Sequence, residues 1–599
     1  MHSLTALVDV PQAVVEVLVT AHMKEYENVQ RFDIIEGVTL LATGEPGVVL
    51  NHWRSDSSLT AAFGSDIRYL SPATLGNLLH AVHASRRLND QFADLVLLSI
   101  SDEYGLTAIS GNGAHRFFKR RLPSGGTVLS TQIKTVAIAE SPAAVDRAYE
   151  DFFLGFGFHP DNKTMFVGVD QLSALSVWNP DTGIEERLTL ESGFREVQFD
   201  TGSELMDLLF AATDRQSRGI DHCAVFLGGF DSALVCALLK ELGKKVTGFT
   251  FDFGDDKYNQ TNIDVVTDWL DIDHRWVPIN ESRILSGFNR LPSLLNAPGA
   301  QPHYQLHTVF AAEDVNHAGF QLALTGDGCD TIFLGYPSIY RRSTLMTRLK
   351  RMPVPVSWPM LGVLSMDSVD RLLGHVARTG RSALRAAALP YPAAGHLPTQ
   401  YFDGVGLARL RVGESPPQHE TLDEIRTRLA VGLDSLPPAT LAFLGYSLTG
   451  SSRIKVDGSV MHTGVAQATP FKDPAVVRFA NELPESSLRP EGDANRGLGK
   501  QYLIDRVIES GLLPAQVALQ RKQSPSTSPI DNWYMGSLRD EILNQLEHLP
   551  FDWNRDYVEN LLRPKRAEEW YRNRIALSPH ALQVVGLLWS YAAFARLSG

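Results

Sequence analysis

The sequence predicts an α/β fold in two parts: a layered antiparallel N-terminal domain over residues 1–200, then a doubly wound parallel sheet with a mostly helical C-terminal part over residues 201–599. Three observations carry that expectation. Up to about residue 200, short apolar runs such as Asp94-Leu95-Val96-Leu97-Leu98-Ser99-Ile100 are punctuated by Gly-Asn-Gly at 111–113 and Ser-Gly-Gly at 124–126, the texture of hairpins. Beyond about residue 203, strand-like runs alternate with longer helical stretches, which argues for parallel strands joined by crossover helices. Between them stands the apolar run Cys223–Leu227, which stops at Gly228-Gly229 and restarts as a helix carrying Asp231 and Ser232 in its first turn.

Taken in order, a helical pattern intrudes near residues 141–156 of the N-terminal part (Pro142–Tyr149), and His115–Arg121 alternates aromatic and basic residues as an exposed strand with one buried face does. In the second part, strands are expected at Cys223–Phe226, Val246–Phe251, His274–Ile279 and Gln321–Leu324, with helices at Thr261–Leu270 and around Val309–Asn316. Residues 340–440, broken by Pro353, Pro355, Pro359, Pro390, Pro392 and Pro398, read as a helical insertion.

Composition excludes several classes. With 44% apolar and 21% charged residues the chain is globular, and it lacks a run of the ~18 apolar residues that a membrane span needs. Met1-His2-Ser3-Leu4-Thr5 has no secretion-signal character, so a cytoplasmic location is expected. A net charge of −13, from 55 basic and 68 acidic residues, argues against a nucleic-acid partner. Three cysteines, Cys223, Cys236 and Cys329, make neither a disulfide framework nor a zinc site.

The loop Leu227-Gly228-Gly229-Phe230-Asp231-Ser232 is a candidate phosphate cradle, because glycines let a ligand approach the main chain and the following helix aims free N–H groups at it. An ordinary strand-to-helix turn would look the same. A second turn, Thr325-Gly326-Asp327-Gly328-Cys329-Asp330, shifts the balance, since both turns follow strands and ligands in doubly wound sheets sit at the strands' carboxyl ends. Asp231 and Asp330 could then share the Mg²⁺ that accompanies ATP, a hard cation that takes one or two carboxylates plus phosphate oxygens.

Gly-Gly-Phe-Asp-Ser, the later Gly-Asp-Gly-Cys-Asp, and the C-terminal series Lys455-Val456-Asp457, Pro470-Phe471-Lys472-Asp473, Gly499-Lys500 and Arg521-Lys522-Gln523 together resemble the synthetase half of the asparagine synthetase superfamily. Residues from about Ser99 to Leu190 resemble that family's glutaminase domain, an N-terminal-nucleophile (Ntn) fold. The resemblance implies adenylation of a carboxylate by ATP, release of AMP and pyrophosphate, and attack by an amine. It further implies that Lys500 neutralises charge on the phosphate and tetrahedral intermediate, with Lys522 assisting, that Gly326 belongs to the nucleotide site, and that Phe251 lies on the edge that reads adenine.

Departures narrow the resemblance. Position 2 is His2 and residues 1–222 hold no cysteine, so glutamine hydrolysis is not expected. Leu227 replaces the family's serine, while Ala466, Ala468, Asn296 and Ala297 replace charged residues, which argues against aspartate as substrate. These changes, and the stretch Ser452–Phe471, resemble the lactam-forming branch, β-lactam synthetases and above all lasso-peptide macrolactam cyclases. In that branch Asp327 falls at a position that acts on the amine, a general-base candidate, and His303, Tyr304 and His307 fall at the substrate wall. Three functions stay open: macrolactam closure of a leader-processed peptide, alongside a cysteine protease and a leader-binding partner; an ammonia- or amine-dependent amide synthetase for a small carboxylate; and an inactive binding or scaffold relative.

Overall fold

The computed structural model describes most of residues 1–191, residues 204–254, 260–336, 400–413, 421–433, 451–488, 499–520, 530–563 and 579–599, and scattered positions elsewhere. The N-terminal part holds two six-stranded antiparallel sheets. One runs, in spatial order, Val169–Gln171, Phe118–Arg121, Thr127–Ser130, Ser3–Val8, Val38–Thr43, Val29–Ile35. The other runs Glu185–Arg187, Ser176–Trp178, Gly105–Ser110, Val96–Ser101, Ser58–Phe63, Leu50–Arg54.

Period-two side-chain alternation explains the layering. Leu4, Ala6 and Val8 face Ala61, Leu98 and Ala108 in a core between the sheets, whereas Leu7 faces outward onto Val15 and Val19 of the helix Gln12–Glu25. On the far side, Ala62, Leu97 and Ile109 pack on Leu75, Leu78 and Val82 of the helix Pro72–Ser85. Each sheet is thus covered on both faces, and its strands are apolar on both.

Two local expectations are corrected. Of the helical stretch expected near residues 141–156, Glu150–Phe156 is a helix, but residues 139–149 are not: Asp146 N–H donates to Met165 O and Val167 N–H to Ala144 O, so the chain between the short helix Ile133–Ile138 and Glu150 pairs with a distant segment. The strand Phe118–Arg121 is interior, paired on both sides. Arg120 points inward and caps the carbonyls of Ala137, Ala139 and Ser141, which satisfies a buried guanidinium without a carboxylate.

The second part holds five parallel strands: β1 (His222–Phe226), β2 (Lys245–Asp252), β3 (Asp273–Pro278), β4 (Leu322–Leu324) and β5 (Ala466–Ala468), in spatial order β3-β2-β1-β4-β5. Ala224 is in register with Thr247 on one side and Ala323 on the other, and Leu324 with Ala468. Strand order reverses at β1, and the crevice beside such a reversal is where ligands bind in open α/β sheets. The expected first four strands are present; β5 lies inside a segment that reads as helical, and its Ala-Gln-Ala sequence has no apolar run to mark it. Most of residues 340–440 lie outside the described residues, apart from pieces such as the helices Gly404–Leu410 and Leu422–Leu429.

Helices flank the sheet: α1 (Glu204–Ser217), α2 (Phe230–Glu241), α3 (Gln260–Leu270), α4 (Pro302–His317), α5 (Ser451–Thr463), α6 (Gln501–Ser510) and α7 (Pro579–Ala595). α2 is buried from Ser232 through Leu239, as its near-continuous apolar sequence requires. Among the described residues no helix is long and apolar enough to cross a membrane, and the three cysteines are buried and form no disulfide.

Candidate active site

The loop after β1 leads from an extended Gly229 into α2 at Phe230. Its donors are engaged within the loop: the N–H groups of Gly228 and Gly229 donate to Ser232 Oγ at 2.9 and 3.2 Å, and that hydroxyl donates to Gly229 O at 3.0 Å. Ser232 thus occupies the main-chain donors that an anion would take. Leu227 is a core residue. Its side chain is buried against β2, where a Cβ on Gly248 would come within 2.9 Å of it, and its N–H donates to Phe249 O.

The second loop, after β4, rests directly on the first. A Cβ on Gly326 would lie 2.6 Å from Asp231 Cβ and 2.9 Å from Ser232 N, so only glycine allows the two turns to touch. Neighbouring β5 braces this turn: Thr325 N–H donates to Ala468 O, and Thr469 Oγ1 donates to Asp327 O.

Asp231 and Asp330, one from each turn, converge on Lys500 Nζ at 2.5 and 2.8 Å. Lys500 precedes α6 in a left-handed conformation (φ 53°), and its N–H donates to Phe333 O, which aims the side chain back into the crevice. Burial pushes the ammonium toward its neutral form, but the Asp231 carboxylate more than offsets this and its pKa is raised. Two hard carboxylate oxygens meeting at one cationic point fit the donor set of Mg²⁺. Among the described residues no group of three or more His, Cys, Asp or Glu could hold a metal by itself, so phosphate oxygens and water would complete its coordination.

Beside this cluster lies a second. Lys455 Nζ donates to Asp327 Oδ1 at 2.8 Å and to Tyr304 OH at 3.3 Å. Burial pushes the Asp327 carboxyl up, but Lys455 and Lys472 win and hold it below the usual range; Lys455 is correspondingly raised by Asp327 against its own burial. Asp327, expected as a general base, is therefore a firmly ionised carboxylate of low basicity. The part played by Lys455 was missed by sequence reasoning: Lys-Val-Asp stands out as a motif, but only the fold brings it to a turn 128 residues earlier.

His303 and His307 lie one turn apart on α4, both buried. His307 sits 5.3 Å, ring to ring, from both Phe251 and Phe253 and has no hydrogen-bond partner on either nitrogen. Burial drives its pKa well below the usual value and lowers that of His303 to about 4, so both rings are neutral near pH 7. Phe251, at the end of β2, therefore touches the expected substrate wall through His307. Tyr304 points instead to Lys455. Lys522 lies outside the described residues.

The structure thus brings together Leu227 through Ser232, Gly326, Asp327, Asp330 and Lys500 at the ends of β1 and β4, with Tyr304 reaching them through Lys455. Residues 204–592 match the family model described as asparagine synthase. No curated protein matches the chain.

Proposed function

From the premise that this chain belongs to the asparagine synthase family, whose members form amide bonds at the expense of ATP, we propose that it closes a macrolactam. A side-chain carboxylate of Asp or Glu in a processed, lasso-type peptide would be joined to the peptide's own N-terminal amine. What supports this reading is the absence of charge on four residues expected near the acceptor, His303, His307, Ala466 and Ala468. His303 and His307 are uncharged, and Ala466 and Ala468 form β5; a free amino acid would need charged partners for its ammonium and carboxylate. The absence of cysteine from residues 1–222 is a second support, since no thiol there can release ammonia from glutamine.

In this reading ATP, bound with Mg²⁺ at Asp231 and Asp330, supplies the activation of the carboxylate. Lys500 steadies negative charge on the departing oxygens, and Ser232 yields the N–H groups of Gly228 and Gly229 to phosphate. Holding both ends of one peptide in reach makes the closure intramolecular. An N-terminal amine has a pKa near 8, so a useful fraction is unprotonated without a strong base. Once bonded to the carbonyl carbon the nitrogen becomes strongly acidic, and even a carboxylate as weakly basic as Asp327 can receive its proton. A protease that exposes that amine and a leader-binding protein are the partners this chemistry calls for.

The test is incubation with ATP, Mg²⁺ and synthetic peptides carrying a free N-terminus and an internal Asp or Glu. The expected result is a product lighter by one water, with AMP and pyrophosphate released together. AMP formed only with added ammonia or a small amine would point to the amide-synthetase alternative. No AMP with any carboxylate would point to a binding or scaffold role.

A further inference from the structure

Helix α5 has two occupied faces. Arg453, Asp457 and Met461 recur at intervals of four and share one face, and each meets the N-terminal part of the chain. Arg453 Nη1 donates to Gln171 Oε1 at 3.5 Å. His115 Nδ1 and Asp457 Oδ1 are 2.6 Å apart; with the carboxylate ionised, the imidazole donates. His2 N–H donates to Met461 O at 2.6 Å. Just past the helix, a Cβ on Gly464 would come 2.8 Å from His2 Nε2, so the His2 ring lies flush on the backbone there.

The other oxygen of Asp457 is held as well. Asn296 Nδ2 donates to Asp457 Oδ2 at 2.6 Å and to Thr131 O at 2.8 Å, while Asn296 Oδ1 accepts from Ile133 N–H at 2.9 Å. His115, Asn296 and Asp457 are all buried. A buried carboxylate deprived of its donors is costly, so Asp457 fixes both the rotation and the axial position of α5. Lys455, two residues before it, is turned by ~200° about the helix and reaches Asp327 and Tyr304 on the opposite side.

We propose that the N-terminal part, which has no cysteine nucleophile, serves as a clamp on α5, with His115 as a positioning residue that keeps Lys455 on Asp327 by holding Asp457. Residues 1–200 then contribute to the synthetase reaction by fixing one helix, without chemistry of their own. The relevance of the clamp to turnover rests on the proposed function; the clamp itself does not, and its test needs no substrate.

The full-length protein is labelled with a lysine-directed acylating ester, and the rate at each lysine is read by peptide mass spectrometry beside the thermal midpoint. In His115→Phe, Lys455 should react about tenfold faster than in the wild type, the lower end of what one hydrogen bond to a charged group contributes, while buried Lys500 stays within about twofold, as expected of local rather than global opening. His115→Gln, which restores a side-chain N–H donor, should return Lys455 close to the wild-type rate. The proposal is overturned if Lys455 does not respond, if Lys500 accelerates equally, or if His115→Gln behaves like His115→Phe. Should His115→Phe not fold, Asp457→Asn, of the same shape without the charge, is read against the same outcomes. A normal clamp in a protein that makes no AMP would count against the lactam reading alone.

Discussion

Lys500 Nζ lies 2.5 Å from Asp231 Oδ1 and 2.8 Å from Asp330 Oδ1, so one ammonium ties together the carboxylates of two separate turns. Three charges in a buried crevice leave a net negative site that a divalent cation would satisfy better than an ammonium does. Lys500→Met removes the competitor and leaves two like charges facing each other. Mn²⁺, used as a probe in the absence of nucleotide, should then bind about tenfold tighter or more, a change of ~1.4 kcal/mol, as read by calorimetry or electron paramagnetic resonance. AMP formation should fall by about 10²–10³, the usual cost of removing one preorganised donor. Unchanged Mn²⁺ affinity would show that the two carboxylates do not form a cation site.

The Asp327–Lys455 pair makes a stability prediction whose sign follows from both shifts. Asp327 is lowered by Lys455 and Lys472 against its burial, so its contribution is present above the unfolded carboxyl pKa and is lost only as pH falls through a still lower value. Lys455 is raised by Asp327 against its burial, so its contribution is present below the unfolded lysine pKa and is lost only as pH rises through a higher one. The pair is therefore intact across pH 5–9 and should give no inflection there. Asp327→Asn strands a buried ammonium and should cost about 3 kcal/mol. The double variant Asp327→Leu/Lys455→Met should cost less than that single one, which parallel thermal melts would reveal.

Buried neutral histidines predict acid sensitivity. Burial lowers His303 to about 4, and His307 lies well below its usual value. As pH falls below about 6.5 the unfolded chain takes up protons that these rings in the folded chain refuse, so stability declines with falling pH. His303 should contribute a loss of about 2 kcal/mol between pH 7 and pH 5, and His307 adds a loss of the same sign. His307→Phe replaces two unpartnered ring nitrogens with carbon and should flatten that decline, raising the thermal midpoint at pH 5 relative to the wild type more than at pH 7.5. An equal shift at both values would mean that burial does not hold His307 neutral in the folded chain.

How much of this was legible in the sequence differed by element. Strands β1, β2 and β4 announce themselves as apolar runs, as a parallel strand covered on both faces must be, whereas β3, at the sheet edge, alternates exposed and half-buried residues. β5 does not, because Ala466-Gln467-Ala468 has no large apolar side chain to mark it as a strand. The convergence of Asp231, Asp330 and Lys500 could be expected from their motifs, but Lys455 against Asp327 is a tertiary contact with no local signal. His115 shows why aromatic and basic alternation misleads: the stretch looks like a wet strand, yet His115 and Arg120 are buried with partners that come from distant sequence.

Leu227 is where the sequence suggested a loss and the structure shows a gain. A serine there would add a hydroxyl to the phosphate loop, but Leu227 is 2% exposed and packs on Gly248 of β2, with its N–H on Phe249 O and its carbonyl accepting from Thr250 Oγ1. Leu227→Ser would open a cavity between β1 and β2 and bury a hydroxyl there, costing about 3 kcal/mol. The N–H groups of Gly228 and Gly229 do not depend on that side chain; they are held by Ser232 Oγ. ATP affinity should therefore change by less than about threefold in Leu227→Ser at 20 °C, well under the ~1.4 kcal/mol of a tenfold change, while the thermal midpoint drops by several degrees. Ser232→Ala should do the reverse: it leaves the core and the thermal midpoint nearly unchanged but alters ATP affinity, because the hydroxyl that engages both N–H groups is gone. Isothermal titration with ATP and Mg²⁺, run beside thermal melts of both variants, separates the two roles. Tighter ATP binding in Leu227→Ser would mean that the loop has lost a phosphate ligand at this position.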